Sequence, residues 1–149
     1  MKTSRIHIRP CRAADIPHVL DLWKRASAGP SVSDNPEALR LRLRRDRQLF
    51  LLAWDGTRLV GSLMGGWDGW RASMARLAVD PDYRRRGIAR LLLHQVENEL
   101  RQLGALRVGL IVLTNNRGGR GFWKAQKYRL DDHVVRYVKD LRRPSGIST

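Results

Sequence analysis

The sequence predicts an α/β fold in which helices flank both sides of a mixed, mostly antiparallel sheet. Three apolar segments in the middle of the chain are separated by the pairs Asp55-Gly56 and Asp68-Gly69. Asp-Gly between apolar segments is the strongest short-range signal of a β-hairpin, so an antiparallel meander is expected. A long amphipathic helical segment follows, and then another apolar segment. Because this last segment is reached through a helix, we expect it to lie parallel to the strand before that helix.

Length and composition predict one domain over residues 1–149, with residues 142–149 as a frayed tail. A chain of this length buries about two thirds of the surface that it exposes when unfolded. The longest apolar runs, such as residues 49–54, are far too short to span a bilayer, and the N-terminus lacks the apolar core of a signal peptide. The only cysteine, Cys11, excludes an internal disulfide and is expected to be a small buried side chain. We therefore expect a cytoplasmic protein with no membrane partner.

The charge is strongly unbalanced, with a formal net value of +15 from 29 basic and 14 acidic residues. A basic surface attracts phosphates and acidic partners and repels polycations. It therefore suits a ligand with several phosphates, and it leaves nucleic acid open as a less favoured partner. The arginines at positions 40, 42, 44, 45 and 47 form a basic run. A solvated helix face is the simpler interpretation of that run, and the composition of the genome is a further explanation of the charge.

The first part of the chain is predicted to form a strand and a helix. Apolar and polar residues alternate over residues 5–9, which predicts a short strand. Asp15 is expected to cap a helix that has Pro17 in its first turn. Residues 28–34 are rich in Gly, Pro and Ser and are expected to form a loop.

The next segment carries two conflicting patterns. Leu39, Leu41 and Leu43 alternate with arginines, which is typical of a strand. Leu39 and Leu43 also share one face of a helix, and the start signal at residues 35–37 favours a helix. We therefore predict a second helix here.

The remaining elements follow from apolar patterns and from breaking residues. The meander strands are predicted at residues 48–54, 58–66 and 72–79, and residues 106–113 are predicted to form a buried strand. Gly104 is expected to end the long helix between them. The apolar stripe of that helix is Ile88, Leu92, Val96, Leu100 and Leu103.

The end of the chain contains a glycine-rich stretch and a last apolar segment. Three glycines at residues 117–121 cost about 1 kcal/mol each inside a helix, so the regular helix is expected to begin late, near Gly121. Leu130 and residues 133–139 flank Asp131-Asp132 as a last hairpin.

The junction between the strand ending at Val79 and the long helix is rich in arginine and contains two small residues, Gly87 and Ala89. A helix N-terminus leaves backbone N–H groups without partners and carries partial positive charge. Small residues let a ligand approach those donors, so this junction is predicted to hold a pyrophosphate without a metal. A solvated basic loop that caps a core helix is the alternative. We call residues 84–90 the phosphate cradle, and its predicted ligand contacts are Arg84, Arg85, Arg86, Gly87, Ile88, Ala89 and Arg90.

The spacing of Arg84, Gly87 and Ala89 resembles the acyl-CoA signature Q/R-x-x-G-x-G/A of the GNAT superfamily of N-acetyltransferases. The resemblance extends from the strand near Ile6 to the last apolar segment near Val138. It implies the GNAT fold, acetyl-CoA as a cosubstrate and no metal. The implied reaction moves the acetyl group to a primary amine by direct attack in a ternary complex. The alternative is a module without catalysis, which binds acyl-CoA or uses its charge to bind nucleic acid.

The resemblance also implies where the pantetheine arm of the cofactor would lie, between splayed parallel strands that end near Val79 and Leu113. Backbone groups of Leu77, Ala78 and Val79 would pair with the arm, and one N–H would polarise the thioester carbonyl. Asn116 would contact the pantetheine amides, with an ordinary turn residue as the alternative.

The candidates for general acid and general base depart from the family pattern. Many family members carry a tyrosine seven residues after that asparagine, which protonates the leaving thiolate. This chain has Trp123 there, a far poorer acid, so the thiolate leaves unassisted or another group donates. Phe122 and Trp123 are still expected to contact the cofactor. Asp68 is the nearest acid by topology and is the candidate general base, with a plain hairpin-turn aspartate and water-relayed deprotonation as alternatives.

Charge and composition also bear on the partners beyond acetyl-CoA. A protein amine or a small neutral or acidic amine is the expected acceptor, because a basic surface repels polyamines. A homodimer is left open. The four histidines lack the spacing of metal ligands, so no metal site is predicted. The RGG-like stretch at residues 117–122 is a single short copy, and RNA binding there is less favoured.

Overall fold

The computed structural model describes residues 5–142. The chain divides into two compact units, and the boundary between them in the sequence lies between Leu110 and Ile111. The first contains β1 (Ile6–Pro10), α1 (Ile16–Arg25), α2 (Pro36–Arg42), β2 (Phe50–Asp55), β3 (Arg58–Trp67), β4 (Ala72–Val79), α3 (Ile88–Leu103) and β5 (Val108–Leu110), and the second contains α4 (Arg117–Ala125). One domain over residues 1–149 stays a prediction. The predicted frayed tail lies outside the described residues, except for Arg142.

The strands form one sheet in the order β1-β2-β3-β4-β5 within the described residues. Neighbours from β1 to β4 are antiparallel, and β4 and β5 are parallel. Both Asp-Gly turns place their glycine in the left-handed region, with φ of +60° at Gly56 and +94° at Gly69. Side chains disfavour that region, so glycine fits these turns. The predicted meander and the predicted parallel strand are confirmed.

Helix α3 lies very close to the sheet because β3 carries glycine where the two meet. A Cβ atom at Gly61 would lie 2.9 Å from Ile88, and one at Gly65 would lie 2.8 Å from Val96. The predicted stripe of α3 is buried at Ile88, Leu92, Val96 and Leu100, whereas Leu103 is 37% exposed. The predicted C-terminal glycine is confirmed, because Gly104 has a φ of +103°.

Helices α1 and α2 pack on the opposite face of the sheet. Phe50, Leu52 and Trp54 of β2 belong to one core cluster with residues of both helices. Ala53, which lies between Leu52 and Trp54 in sequence, points to the other face of the sheet, where α3 packs against Gly61. Successive strand residues point to opposite faces, so helices cover both sides of the sheet as predicted.

The carboxylate of Asp15 does not cap α1, which corrects the prediction. Its two oxygens accept hydrogen bonds from the Arg9 guanidinium at 2.7 and 3.0 Å, and one of them also accepts from the Arg12 amide at 2.9 Å. Helix α1 begins immediately after Asp15, with Pro17 in its first turn. The contact from β1 therefore draws the carboxylate into the preceding turn, and the fixed φ of proline starts the helix.

Helix α2 forms as predicted, although its leucines also carry a strand pattern. Asn35 caps it by accepting a hydrogen bond from the Ala38 amide at 2.9 Å. Leu39 and Leu43 are buried together, and Leu41 is exposed. The helical period therefore matches the burial.

Strand β5 is shorter and more exposed than predicted. Pairing with β4 covers only Val108–Leu110, and Leu106, Ile111 and Leu113 are exposed. Within the described residues β5 is the edge strand of the sheet, so its outer side has no neighbouring strand to bury it.

Helix α4 begins at Arg117, four residues earlier than predicted. The side-chain oxygen of Asn116 accepts a hydrogen bond from the Gly119 amide at 2.9 Å. Such an N-cap stabilises a helix by about 1 kcal/mol, which offsets part of the cost of the glycines.

The predicted last hairpin is wrong. Residues 134–140 form no regular secondary structure, and their apolar side chains are largely exposed. In the described part of the chain no strand pairs with them, so the apolar pattern has no sheet face on which to pack.

Candidate cofactor-binding site

The phosphate cradle combines a left-handed glycine with the first turn of a long helix. Gly87 immediately precedes α3 and has a φ of +80°. The first backbone hydrogen bond of the helix runs from Leu91 N–H to the Gly87 carbonyl, at 3.0 Å. The amides of Ile88, Ala89 and Arg90 precede it and therefore have no partner within the helix. Since the Ile88 side chain is buried in the core, only its backbone can face a ligand.

The arginines of the cradle are all exposed. Arg86 lies over the ring of Tyr83, with its guanidinium carbon 4.7 Å from the ring centroid. The Tyr83 hydroxyl in turn donates to the Asp55 carboxylate at 2.6 Å, which links the cradle to the end of β2. Arg84 donates to the carbonyl of Ala26 at 3.3 Å. The cradle therefore offers both fixed backbone donors and screened, partly tethered positive charge.

Asp80 anchors the turn that leads from β4 into the cradle, and the sequence interpretation did not single it out. Its side chain is 2% exposed and accepts hydrogen bonds from Arg25, from Arg58 at 3.0 Å and from the Asp82 amide at 2.9 Å. Burial raises the pKa of this carboxyl, but the Asp82 amide and the two guanidinium groups outweigh it and hold the pKa below its usual range. An ionised Asp80 therefore holds the turn in place through two guanidinium groups and one backbone amide.

The part of β4 nearest the cradle lies beyond the residues that pair with β5. The ladder between β4 and β5 stops at Met74 and Leu110, although β4 continues to Val79. Within the described residues, the ladder with β5 therefore covers only three residues of β4. Of the predicted backbone contacts, Ala78 is buried and pairs with Ser62 of β3, and Leu77 and Val79 are half-buried.

Asp68 has the geometry of a hairpin-turn aspartate. One carboxylate oxygen accepts hydrogen bonds from the Arg71 amide at 2.6 Å and the Trp70 amide at 2.8 Å. These two bonds hold the pKa of Asp68 below its usual range, so it is a weaker base than an ordinary aspartate. Its role as general base stays a prediction.

The second unit holds the other predicted cofactor contacts. Asn116 caps α4 with its side-chain oxygen, which accepts from the Gly119 amide. Trp123 is buried in an aromatic cluster, with ring centroids 5.1 Å from Phe122 and 4.9 Å from Tyr128. The contacts of Asn116, Phe122 and Trp123 with a cofactor stay predictions.

Cys11 and three arginines of the basic run have structural roles. Cys11 is fully buried, and burial raises the pKa of its thiol to about 12, so it is a poor nucleophile. Of the basic run, Arg42, Arg45 and Arg47 donate to backbone carbonyls. Residues 5–142 contain no group of three acidic, histidine or cysteine side chains placed to hold a metal ion. Among the same residues, no helix combines the length and apolarity needed to cross a bilayer.

Comparisons with known proteins identify the class of this chain. A model of the acetyltransferase (GNAT) family matches residues 16–128. An acetyltransferase of Sodalis glossinidius is 34% identical over 91% of this chain and 96% of its own length, and one of Pectobacterium atrosepticum is 35% identical over 87% and 92%. The crystal structure of the PaiA N-acetyltransferase from Thermoplasma acidophilum, in complex with coenzyme A, has a TM-score of 0.77 at 20% identity, covering 85% of this chain and 91% of that chain.

The chain therefore belongs to the GNAT family of acetyltransferases. The predicted fold class is confirmed, and so is the predicted enzyme class, an N-acetyltransferase.

Proposed function

We propose that this enzyme moves an acetyl group from acetyl-CoA to a primary amine by direct attack in a ternary complex. The observation that carries the proposal is the phosphate cradle, where a left-handed glycine opens the first turn of α3 among four exposed arginines. Helix N-termini of this kind bind phosphates through backbone N–H groups and partial positive charge. The relative from Thermoplasma acidophilum that was crystallised with coenzyme A supports the same ligand.

The pyrophosphate of the cofactor would lie against the amides of Ile88, Ala89 and Arg90. Arg84, Arg85, Arg86 and Arg90 would add charge, and each alone would contribute modestly because exposed charges are screened by salt. Asp80 would keep the entering turn in place. The backbone donors and the arginines would offset the charge of the phosphates without a metal.

The pantetheine arm would lie along β4 beyond its pairing with β5, next to the backbone groups of Leu77, Ala78 and Val79. One N–H of this segment would donate to the thioester carbonyl oxygen, where negative charge develops during attack. The amine nitrogen would form a bond to the carbonyl carbon while the carbon–sulfur bond breaks. The nitrogen loses a proton and the thiolate takes one up, so the products are the amide and free CoA.

The reaction also needs a route for the proton that leaves the amine and one for the departing thiolate. Asp68 is the candidate base, and the alternatives are that it is a plain hairpin-turn aspartate, as its two amide hydrogen bonds favour, and that water relays the proton without a dedicated residue. A thiol with a pKa of about 8.5 can leave as thiolate without assistance. Asn116, Phe122 and Trp123 would contact the cofactor. The acceptor would be a protein amine or a small neutral or acidic amine in the cytoplasm, and the enzyme could act as a monomer or a homodimer.

Calorimetry at physiological salt tests the proposal against its competitor, a basic module that binds nucleic acid. We expect saturable binding of CoA, and only weak, steeply salt-dependent binding of a short DNA duplex. Tight DNA binding without CoA binding would overturn the proposal. Mass spectrometry after incubation with acetyl-CoA should find no acetyl group on Cys11. An acetyl-cysteine that turns over would contradict direct attack.

A further inference from the structure

Strand β4 contains a bulge next to the predicted thioester position. Ser62 pairs with Ala78 and Met64 pairs with Ala75, so one residue of β3 lies opposite two residues of β4, Arg76 and Leu77. Arg76 has a φ of +61°, which side-chain-bearing residues seldom adopt. Such a conformation persists only where the surroundings hold it, and such sites concentrate where proteins act on ligands.

Two buried side chains hold the backbone of this bulge. The Ser62 hydroxyl lies 2.8 Å from the carbonyl oxygen of Arg76, and the indole nitrogen of Trp23 lies 2.9 Å from the same hydroxyl. Both side chains are almost completely buried. An indole N–H can only donate, so the hydroxyl accepts from Trp23 and uses its single proton to donate to Arg76. The direction of both hydrogen bonds is therefore fixed.

The side chain of Arg76 is tethered to the same place. Its guanidinium donates to the Asp34 carboxylate at 2.7 Å and lies 5.2 Å from the ring centroid of Trp23. Trp23 therefore contacts the bulge in two ways, through its ring at the side chain and through Ser62 at the carbonyl.

The position of the Arg76 carbonyl determines where the next N–H points. The described residues contain no cis peptide bond, so the C=O and N–H of the Arg76–Leu77 peptide point in opposite directions. The carbonyl points towards Ser62 on β3. The Leu77 N–H therefore points away from the Ser62 hydroxyl, in a part of β4 where the pairing with β5 has already ended at Met74.

We propose that Trp23 and Ser62 are positioning residues that hold the Arg76–Leu77 peptide so that the Leu77 N–H donates to the thioester carbonyl. This inference rests on the proposed function and deepens it. A donor aimed in advance at the developing oxyanion stabilises the transition state without further rearrangement. A hydrogen bond to the carbonyl of the same peptide also polarises its N–H. Ser62 and Trp23 themselves do not touch the substrate in this arrangement.

The test uses the carbonyl stretching frequency of acetyl-CoA labelled with ¹³C in its thioester carbonyl, bound to the full-length protein. The bound carbonyl should absorb at lower frequency than in free solution, because the Leu77 N–H polarises it. In Ser62→Ala this shift should largely disappear, with the Kd for CoA changed by less than about twofold. Trp23→Phe, which keeps the ring and loses the N–H, should give a smaller loss, and the double variant should resemble Ser62→Ala.

Val60→Ala is the matched control. Val60 is fully buried on the same strand as Ser62, and its apolar side chain cannot donate a hydrogen bond to the Arg76 carbonyl. The substitution should lower Tm while leaving the carbonyl shift intact.

Once an accepting amine is found, kcat should fall about tenfold in Ser62→Ala with little change in KM for acetyl-CoA, and Ser62→Thr should restore part of kcat.

An unchanged carbonyl shift in a folded Ser62→Ala variant would overturn the inference, as would an equal loss of shift in Val60→Ala. Failure of the parent protein to bind CoA at all would instead refute the proposed function. The two failures are therefore distinguishable by the calorimetric Kd.

Discussion

The guanidinium of Arg58 on β3 lies 3.0 Å from the carboxylate of Asp80, in the turn that enters the phosphate cradle. Arg25 from α1 binds the same carboxylate oxygen. Three elements that are distant in sequence thus meet at one buried acid, just before the arginines that are proposed to hold the cofactor. The cradle is therefore part of the folded core on one side and open to solvent on the other.

Replacing Asp80 by Asn should destabilise the protein. Removing one partner of a buried ion pair costs about 3–5 kcal/mol. Arg25 and Arg58 are partly exposed, so water can solvate them, and we expect a loss of about 1–3 kcal/mol in the free energy of unfolding. Urea denaturation measures it.

Asp82→Asn is the matched control, because Asp82 pairs with the same Arg58 at 3.3 Å but is exposed. An exposed ion pair contributes at most about 1 kcal/mol, so this variant should stay close to the parent. Equal losses in the two variants would show that burial of Asp80 is not the source of its contribution.

Acid should destabilise the protein through Asp80 and Asp15. Burial raises the pKa of both carboxyls, but hydrogen bonds outweigh it, chiefly from the Asp82 amide and Arg58 at Asp80 and from Arg9 and the Arg12 amide at Asp15. Both folded-state pKa values therefore lie below the unfolded value of about 3.9. The unfolded state then binds protons first as the pH falls, so this stability is present above about pH 4 and is lost below it.

The free energy of unfolding, measured by urea titration between neutral and strongly acidic pH, checks this sign. Asp80→Asn should lose stability less steeply than the parent in acid, since one of the two depressed carboxyls is gone. A slope identical to that of the parent would contradict the role assigned to Asp80.

Local signals made most of the fold predictable. The two Asp-Gly turns, the cap at Asn35 and the glycine that ends α3 each lie within a few residues of the element that they define. The periodic burial of α3 is likewise visible in the sequence, because spacing alone determines which residues share a helix face.

The features that were not predicted from the sequence have two kinds of cause. The Asp15 carboxylate binds Arg9, and Ser62 binds Trp23, which is 39 residues away, so these contacts depend on the folded chain. The exposure of residues 134–140 likewise depends on which strands find partners. The early start of α4, in contrast, had a local signal, because Asn116 can cap a helix. The three glycines that follow it led to the prediction of a later start.

Asn116 allows capping to be separated from cofactor binding. Asn116→Ala removes the bond to the Gly119 amide and should cost about 1 kcal/mol of stability. Asn116→Asp keeps an acceptor oxygen and should retain that stability, but it loses the amide donor proposed for pantetheine. Unfolding free energy and the calorimetric Kd for CoA together measure both roles. If both variants bind CoA as the parent does, Asn116 serves only as a cap.

The phosphates of the cofactor are proposed to bind at Gly87, and calorimetric titration of CoA into folded variants at physiological salt measures whether they do. Gly104→Glu is the matched control, since both glycines flank α3, have positive φ and leave open space for a Cβ atom. We predict that Gly87→Glu weakens CoA binding by at least about 100-fold, through bulk and repulsion at the phosphates, whereas Arg85→Ala weakens it by less than about tenfold. Gly104→Glu should bind like the parent. Parent-like binding of CoA by Gly87→Glu would contradict the account.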